Sequence, residues 1–152
     1  MKLLQHGMEA QAQARPEATA LVFGDKRMSY GALEQASNRL AGLLTSLGCR
    51  RGDRVALLMP KMPMAIVGML ATLKIGAIYV PLDPTGPPAR LALMLAAIEC
   101  RVILAAGKVG PLLDHALPAA MLRLRPVIGW LDETAWTGSG LAPAFATLKT
   151  GV

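Results

Sequence analysis

Residues that could do chemistry are few and widely separated in this sequence. The segment 137–140 (Thr-Gly-Ser-Gly) combines small side chains with backbone N–H donors, as phosphate-binding loops do, but no lysine follows at the distance that such loops require. It neither follows a clear strand nor begins a clear helix, so we interpret it as a linker. His115 lies beside Asp114 on a weakly predicted helix and has no nucleophile to serve, which is typical of a surface or capping histidine. His6 lies in a terminal segment and carries less weight.

Two carboxylates and a group of methionines have both a chemical and a structural interpretation. Asp53 and Asp83 stand at predicted strand ends, where aspartate commonly forms turns, and direct contact with a ligand is the less favoured interpretation. Four methionines surround an apolar helix and could line an acyl pocket, because methionine adapts to irregular shapes: Met59, Met62, Met64 and Met69. Since that helix is apolar on nearly every face, filling of the core is favoured. We assign no residue to a catalytic, cofactor-binding or metal site.

The two cysteines, Cys49 and Cys100, are widely spaced and lack the histidine or cysteine partners of a metal site. They are predicted to be reduced thiols, with a disulfide as the less favoured alternative. The apolar run near the first residue is too short for a signal peptide, so cytoplasmic localisation is the default expectation.

The formal net charge of +6 is concentrated in the first half of the chain. Its densest cluster, Arg50, Arg51 and Arg54, lacks the long basic run and the interleaved aromatic residues of a nucleic-acid surface, so no nucleic-acid partner is expected. Residues 62–82 are apolar enough to suggest a membrane span. However, prolines, lysines and a glycine leave an unbroken stretch of about twelve residues where a span needs about 20, so a buried helix and a buried strand are predicted instead.

The 152 residues, of which 53% are hydrophobic, suit one domain with an aliphatic core. Helices are predicted where apolar residues recur at helical spacing, over residues 1–14, 30–47, 63–74, 88–98 and 111–116. Strands are predicted from short apolar runs bounded by turn residues, over residues 19–23, 26–28, 55–59, 77–82, 101–105, 121–124 and 127–131. Ser29 is expected to cap the second helix and Gly48 to end it. The helix over 63–74 is expected to be covered on every side.

The alternation of strands and helices predicts an α/β fold with a mainly parallel sheet flanked by helices. Residues 1–131 are predicted to form this domain, whereas residues 132–152 show no convincing period and are predicted to be a loop or disordered tail. A dinucleotide-binding oxidoreductase domain has the same alternation. It is disfavoured because no G-x-G-x-x-G lies between the first strand and the helix that follows it.

Three segments occur in order on this framework: residues 28–33 (MSYGAL), 51–56 (RGDRVA) and 73–83 (LKIGAIYVPLD). Together they resemble the opening motifs of the adenylate-forming superfamily, which includes acyl-CoA synthetases and the adenylation domains of nonribosomal peptide synthetases. The resemblance covers about residues 9–105. The sequence departs from the usual pattern where Glu34 follows rather than precedes Leu33, and at Ile75, which stands where alanine is more frequent.

The resemblance implies the N-terminal subdomain portion of the adenylate-forming fold, with motifs that are architectural. It implies a parent ligase that joins a carboxylic or amino acid to the α-phosphate of ATP, releases pyrophosphate and transfers the acyl group to coenzyme A or a carrier-protein thiol. ATP and Mg²⁺ serve the intact family, through a Ser/Thr/Gly-rich loop ending in Pro-Lys-Gly, later acidic motifs and a C-terminal lid. Those segments are expected beyond residue 152, so the chain is predicted to be an N-terminal fragment that binds no cofactor and is inactive alone.

An alternative interpretation is a non-catalytic interaction module derived from such a ligase. Apolar surface that the rest of the ligase would cover is expected to be exposed, which favours self-association or pairing with a full-length ligase.

Overall fold

The computed structural model describes residues 2–131 and the backbone of residues 145–150. The helices are Leu4–Ala14 (α1), Tyr30–Ser46 (α2), Pro63–Lys74 (α3), Pro88–Ile98 (α4) and Gly110–Ala119 (α5). The strands are Thr19–Phe23 (β1), Lys26–Ser29 (β2), Arg54–Leu58 (β3), Ile78–Leu82 (β4), Val102–Ala105 (β5), Val127–Leu131 (β6) and Phe145–Thr150 (β7). The predicted α/β class is confirmed.

Local signals determine where the two longest helices begin and end. The Ser29 hydroxyl accepts a hydrogen bond from the N–H of Ala32 at 3.1 Å, which satisfies a donor of the first turn of α2. Gly48, at φ +86°, follows the same helix in the left-handed conformation that glycine adopts without strain. Pro63 begins α3 at the position where a missing N–H costs nothing, and Gly76 at φ +72° turns the chain into β4.

Four strands form a parallel sheet in the order β4-β3-β5-β6, and β7 adds to β6 in the antiparallel direction. β1 and β2 form a separate antiparallel hairpin. The chain moves from β3 to β4 in one direction and from β4 to β5 in the other. Because such crossovers are right-handed, this reversal places the connecting helices on opposite faces of the sheet.

Each face of the sheet has its own core, which explains why the central strands are apolar throughout. On one face, alternate strand residues pack with α2 and α3, among them Val55, Leu57, Val102 and Leu104. On the other face, the intervening residues pack with α4 and α5, among them Ala56, Leu58, Ile103 and Ala105. A parallel sheet covered on both faces requires this continuous hydrophobicity.

Three predictions about this framework were wrong. Residues 121–124 are not a strand, because Met121 and Leu124 are exposed in the connection between α5 and β6. Residues 132–152 were predicted to be a loop or tail, but residues 145–150 form the strand β7. The short sequence of β7 mixes polar and apolar residues, and its backbone hydrogen-bond partners come from pairing with β6. Helix α3 is not covered on every side: Ile66, Met69 and Leu70 are only partly buried.

The apolar stretch over residues 62–82 is divided between α3 and β4, as predicted. In the part of the chain that the structure describes, no helix combines the length and the hydrophobicity that crossing a bilayer needs.

Candidate functional site

The carboxyl ends of β3, β4 and β5 lie at one edge of the sheet, which we call the carboxyl edge; it consists of residues 59–62, 83–87 and 106–109. The N–H of Ala106 donates to the carbonyl of Leu58 at 3.2 Å and joins the loops that follow β3 and β5. The helices after these two neighbouring strands leave toward opposite faces. Ligands of open α/β sheets bind at such a reversal, so the carboxyl edge is the candidate functional site.

The carboxyl edge carries positive charge. Lys61 and Lys108 are exposed there, one after each of the two central strands. Helices α3 and α5 begin at the same edge, and neither Met62 nor Val109 caps them with a side-chain hydrogen bond. Their first N–H groups and the positive ends of their dipoles therefore favour an anion. The arrangement can attract and orient an anionic group.

Asp83 is the carboxylate at this edge, and one of its oxygens accepts hydrogen bonds within its own turn. Its Oδ1 accepts hydrogen bonds from the Thr85 hydroxyl at 2.6 Å and from the Thr85 N–H at 2.8 Å. These two hydrogen bonds lower the pKa of Asp83, which is exposed. The predicted turn-forming role is confirmed.

Asp53 lies at the opposite end of β3 and also forms a turn. Its Oδ2 accepts a hydrogen bond from the N–H of Arg50 at 2.8 Å and lies 3.3 Å from Nε of Arg101. The backbone of the same turn bonds to the end of α3, where the N–H of Gly52 donates to the carbonyl of Gly76 at 3.0 Å. Asp53 therefore orders the amino end of the sheet, away from the candidate site.

The two histidines lie on helices away from the carboxyl-edge loops. His115 is exposed on α5, and its Nδ1 lies 2.7 Å from the carbonyl oxygen of Pro111 in the same helix, as expected of a surface histidine. Nδ1 of His6 accepts a hydrogen bond from the N–H of Leu3 at the start of α1. Both histidines therefore contact backbone groups of their own helix or of the residue that precedes it.

The methionines around α3 belong to the core on that face of the sheet. Met59 and Met64 are buried in it, and Met62 and Met69 pack against it while partly exposed. This placement agrees with the core-filling interpretation.

Neither cysteine is placed to act as a nucleophile. Both are free, as predicted, and both are buried. Burial raises the pKa of Cys100 to about 11. The pKa of Cys49 is raised mainly by burial and also by the nearby carboxylate of Asp53. Arg101 lowers this pKa, but by less than the other two effects raise it. Both thiols are therefore protonated at neutral pH and unreactive.

The described residues do not fit a bound Mg²⁺ ion. In the ranges 2–131 and 145–150, no group of three or more histidine, cysteine, aspartate or glutamate residues is placed to hold a metal. Asp53 and Asp83 use their oxygens within turns. The segment 137–140, considered above as a phosphate loop, lies outside the described residues.

A partly buried ion pair between α2 and the end of α3 was missed by the sequence analysis. Nζ of Lys74 lies 2.8 Å from Oε1 of Glu34 and 3.8 Å from Oε1 of Glu9, and it donates to Oδ1 of Asn38 at 2.6 Å. The signal that could have revealed the pair is a single lysine at the end of an otherwise apolar helix, since a charge there needs a partner.

Comparison with known protein families matches residues 8–140 to the family described as AMP-binding enzyme. Among curated proteins, the chain is 44% identical over 112 residues to the isonitrile lipopeptide synthase of Mycobacterium tuberculosis, covering 73% of this chain. It is 39% identical over 113 residues to bacitracin synthase 3 of Bacillus licheniformis, covering 74% of this chain. The chain spans only 4% and 2% of the lengths of these two relatives.

Among solved structures, a benzoate CoA ligase from Burkholderia xenovorans LB400 superposes with a TM-score of 0.77 at 23% sequence identity. The match covers 97% of this chain and 31% of that protein. At this identity the likeness concerns the fold, and it includes the sheet and the helices that form the carboxyl edge.

Proposed function

The chain belongs to the AMP-binding enzyme family, and we propose that it forms the N-terminal part of an AMP-forming ligase. Such a ligase joins a carboxylate to the α-phosphate of ATP, releases pyrophosphate and passes the acyl group to a thiol. The observation that carries this proposal is the family match over residues 8–140, which contains all three motifs. Contacts around these motifs support it: the Gly52 N–H of the second motif bonds to the Gly76 carbonyl of the third, and Lys74 of the third binds Glu34, the residue after the first.

The acid activated by the parent ligase is proposed to be an amino acid. The relatives that are 44% and 39% identical are named as a lipopeptide synthase and a bacitracin synthase, whereas the benzoate CoA ligase is 23% identical. A peptide synthase assembles amino acids, so the higher identity favours an amino-acid substrate and the thiol of a carrier protein as acceptor.

Within such a ligase, this chain would provide the framework on which later segments place their catalytic groups. The two separately packed faces hold the strands rigidly, and the carboxyl edge presents Lys61, Lys108 and two helix amino ends on the same side. A preorganised positive edge of this kind can attract an anionic reactant.

The chain is proposed to be inactive alone. The 152 residues contain no Pro-Lys-Gly sequence, and the described carboxylates do not form a Mg²⁺ site. Phosphoryl-type chemistry depends on neutralising charge on phosphate oxygens, for which a metal ion and a lysine are the usual means.

Pyrophosphate release tests this proposal. The chain is incubated with ATP, Mg²⁺ and a panel of amino, aryl and fatty acids, and no release above the protein-free control is expected.

The gene sequence downstream of residue 152 is then read, and an in-frame Ser/Thr/Gly-rich loop ending in Pro-Lys-Gly is expected. A protein extended through that frame should release pyrophosphate with an amino acid. Turnover by the 152-residue chain overturns its inactivity, and activity of the extended protein with aryl or fatty acids alone overturns the amino-acid substrate.

Self-association is a second candidate function, and the open side of β4 favours it. Among the described residues β4 pairs only with β3, and Ile78 at its start is 51% exposed. An unpaired strand edge with an exposed apolar side chain is a template for pairing with another strand. Sedimentation velocity over a range of concentrations tests this, with Ile78→Lys as the variant. Association that the substitution abolishes is expected, and a monomer at every concentration contradicts it.

A further inference from the structure

Arginines that lie far apart in the sequence, between positions 50 and 125, are concentrated at the amino ends of the parallel strands. We call this side of the sheet the amino edge; it consists of residues 50–54, which lead into and begin β3, and of residues 99–101 and 120–126, which precede β5 and β6. Its arginines are Arg50, Arg51, Arg54, Arg101, Arg123 and Arg125. Five of them are exposed, and Arg101 is partly buried.

Backbone hydrogen bonds hold side by side the strand starts at or near which these arginines lie. The N–H of Arg101 donates to the carbonyl of Arg54 at 3.0 Å, and the N–H of Val127 donates to the carbonyl of Arg101 at 2.9 Å. Neighbouring strands lie about 4.8 Å apart, so the starts of β3, β5 and β6 lie within about 10 Å. The segments that carry the arginines therefore lie on the same side of the sheet.

The positive charge of this surface is largely unneutralised. Its acidic residues are Asp53 and Glu99, against six arginines. Asp53 already binds Arg101 at 3.3 Å. Among residues 2–131, the other five arginines have no carboxylate oxygen within 4.0 Å. The helix carboxyl ends at the same edge carry partial negative charges that favour cations, but that effect concerns residues within one helical turn.

Exposed apolar side chains accompany the arginines. Met121 is 92% exposed and Leu124 is 38% exposed, and they alternate with Arg123 and Arg125 in the connection to β6. Arginine and methionine are enriched in protein–protein interfaces. The residues of the amino edge include no aromatic side chain on which a nucleic-acid base could stack. A protein partner therefore fits this composition better than a nucleic acid.

We propose that the amino edge is a docking surface for an acidic segment of a protein, and this proposal is independent of the proposed function. Aspartate and glutamate side chains of the partner pair with the guanidinium groups, whose planar donors match a carboxylate in two parallel hydrogen bonds. An apolar side chain of the partner covers Met121.

Fluorescence anisotropy of a labelled glutamate- and leucine-containing peptide, added to the 152-residue chain, tests the proposal. Binding is expected to weaken as salt increases. The double variant R123E/R125E should lose at least about tenfold in affinity, since a reversed charge replaces attraction by repulsion. The matched control K26E/R27E changes net charge equally, lies on the separate β1–β2 hairpin and should bind as the unaltered chain does. Equal weakening in both variants indicates non-specific attraction and overturns the proposal, as does failure of the unaltered chain to bind.

Two further measurements separate docking from other roles of these arginines. The charge-preserving variant R123K/R125K should retain the fold and lose part of the affinity, because lysine lacks the two-pronged donor. Undiminished peptide affinity of that variant overturns the proposed carboxylate pairing. The unfolding midpoint of R123E/R125E should stay near that of the unaltered chain, and a large decrease in this midpoint indicates a structural role instead. Tighter binding of an oligothymidylate than of the peptide, lost in R123E/R125E, overturns the proposal in favour of nucleic acid.

Discussion

Nζ of Lys74, at the end of α3, lies 2.8 Å from Oε1 of Glu34 on α2, and the Lys74 side chain is only 9% exposed. Glu9 of α1 lies 3.8 Å from the same ammonium nitrogen, so one charge joins three helices. Oε2 of Glu34 is buried and has no hydrogen-bond partner among the described residues. Removing either Lys74 or Glu34 therefore leaves the charge of the other, partly buried residue without its partner.

Replacing Lys74 by methionine is expected to destabilise the fold by roughly 1–3 kcal/mol, because Glu34 is left partly buried without its cation. The double variant K74M/E34L should recover part of this loss, since both charges are then removed. Urea denaturation followed by circular dichroism measures the free energies of unfolding of K74M, E34L and the double variant. Strict additivity of the two single substitutions contradicts a direct coupling between the residues.

Two glycine-to-alanine substitutions should change the stability of the fold in opposite directions. Gly76→Ala is expected to cost about 1–2 kcal/mol, because its φ of +72° is strained for alanine and the new Cβ would lie 3.1 Å from Cγ of Arg51. Gly42 lies within α2 with no atom within 4 Å of an added Cβ, so Gly42→Ala should stabilise by roughly 0.5–1 kcal/mol. Thermal denaturation of the two variants measures both effects, and a shift of the same sign in both excludes this explanation.

Cys100 should make stability fall with alkaline pH. Its folded pKa is about 11 against a reference value of 9.0, so between these values the unfolded chain releases a proton that the folded chain retains. The free energy of unfolding should decrease by up to roughly 2–3 kcal/mol over that range through this group alone. The measurement is the difference in urea stability between the unaltered chain and C100A at pH 8 and pH 11. If that difference does not change with pH, the raised pKa is wrong.

The two hydrogen bonds from Thr85 should determine how Asp83 titrates. They lower its pKa, so their contribution to stability is present above the unfolded pKa and is lost as pH falls through the lower folded value. Thr85→Ala removes the hydroxyl donor and should raise the pKa of Asp83, whereas Thr85→Ser keeps the donor and should leave it low. NMR titration of the Asp83 carboxyl carbon measures the midpoint in each variant. Identical midpoints in T85A and T85S contradict a role for the hydroxyl.

The sequence predicted the helices and strands that form the candidate site, but it did not predict that they meet at one edge of the sheet. Helix α3 was predicted at its observed bounds, Pro63–Lys74, because proline and glycine signals flank it. Its neighbours across the sheet depend on strand order, which no local signal encodes. The positive carboxyl edge follows from the reversal between β4 and β5, and only the folded chain brings Lys61 and Lys108 to one side.

The sequence by itself determined the α/β class, most element bounds and the family resemblance, because caps, turns and apolar periodicity act over a few residues. Tertiary structure decided which distant residues meet. It paired Lys74 with Glu34, added β7 to the sheet and brought Arg54, Arg101 and Arg125 to one edge. These relationships arise from strand pairing and helix packing between segments far apart in the chain, so their energies depend on the whole fold.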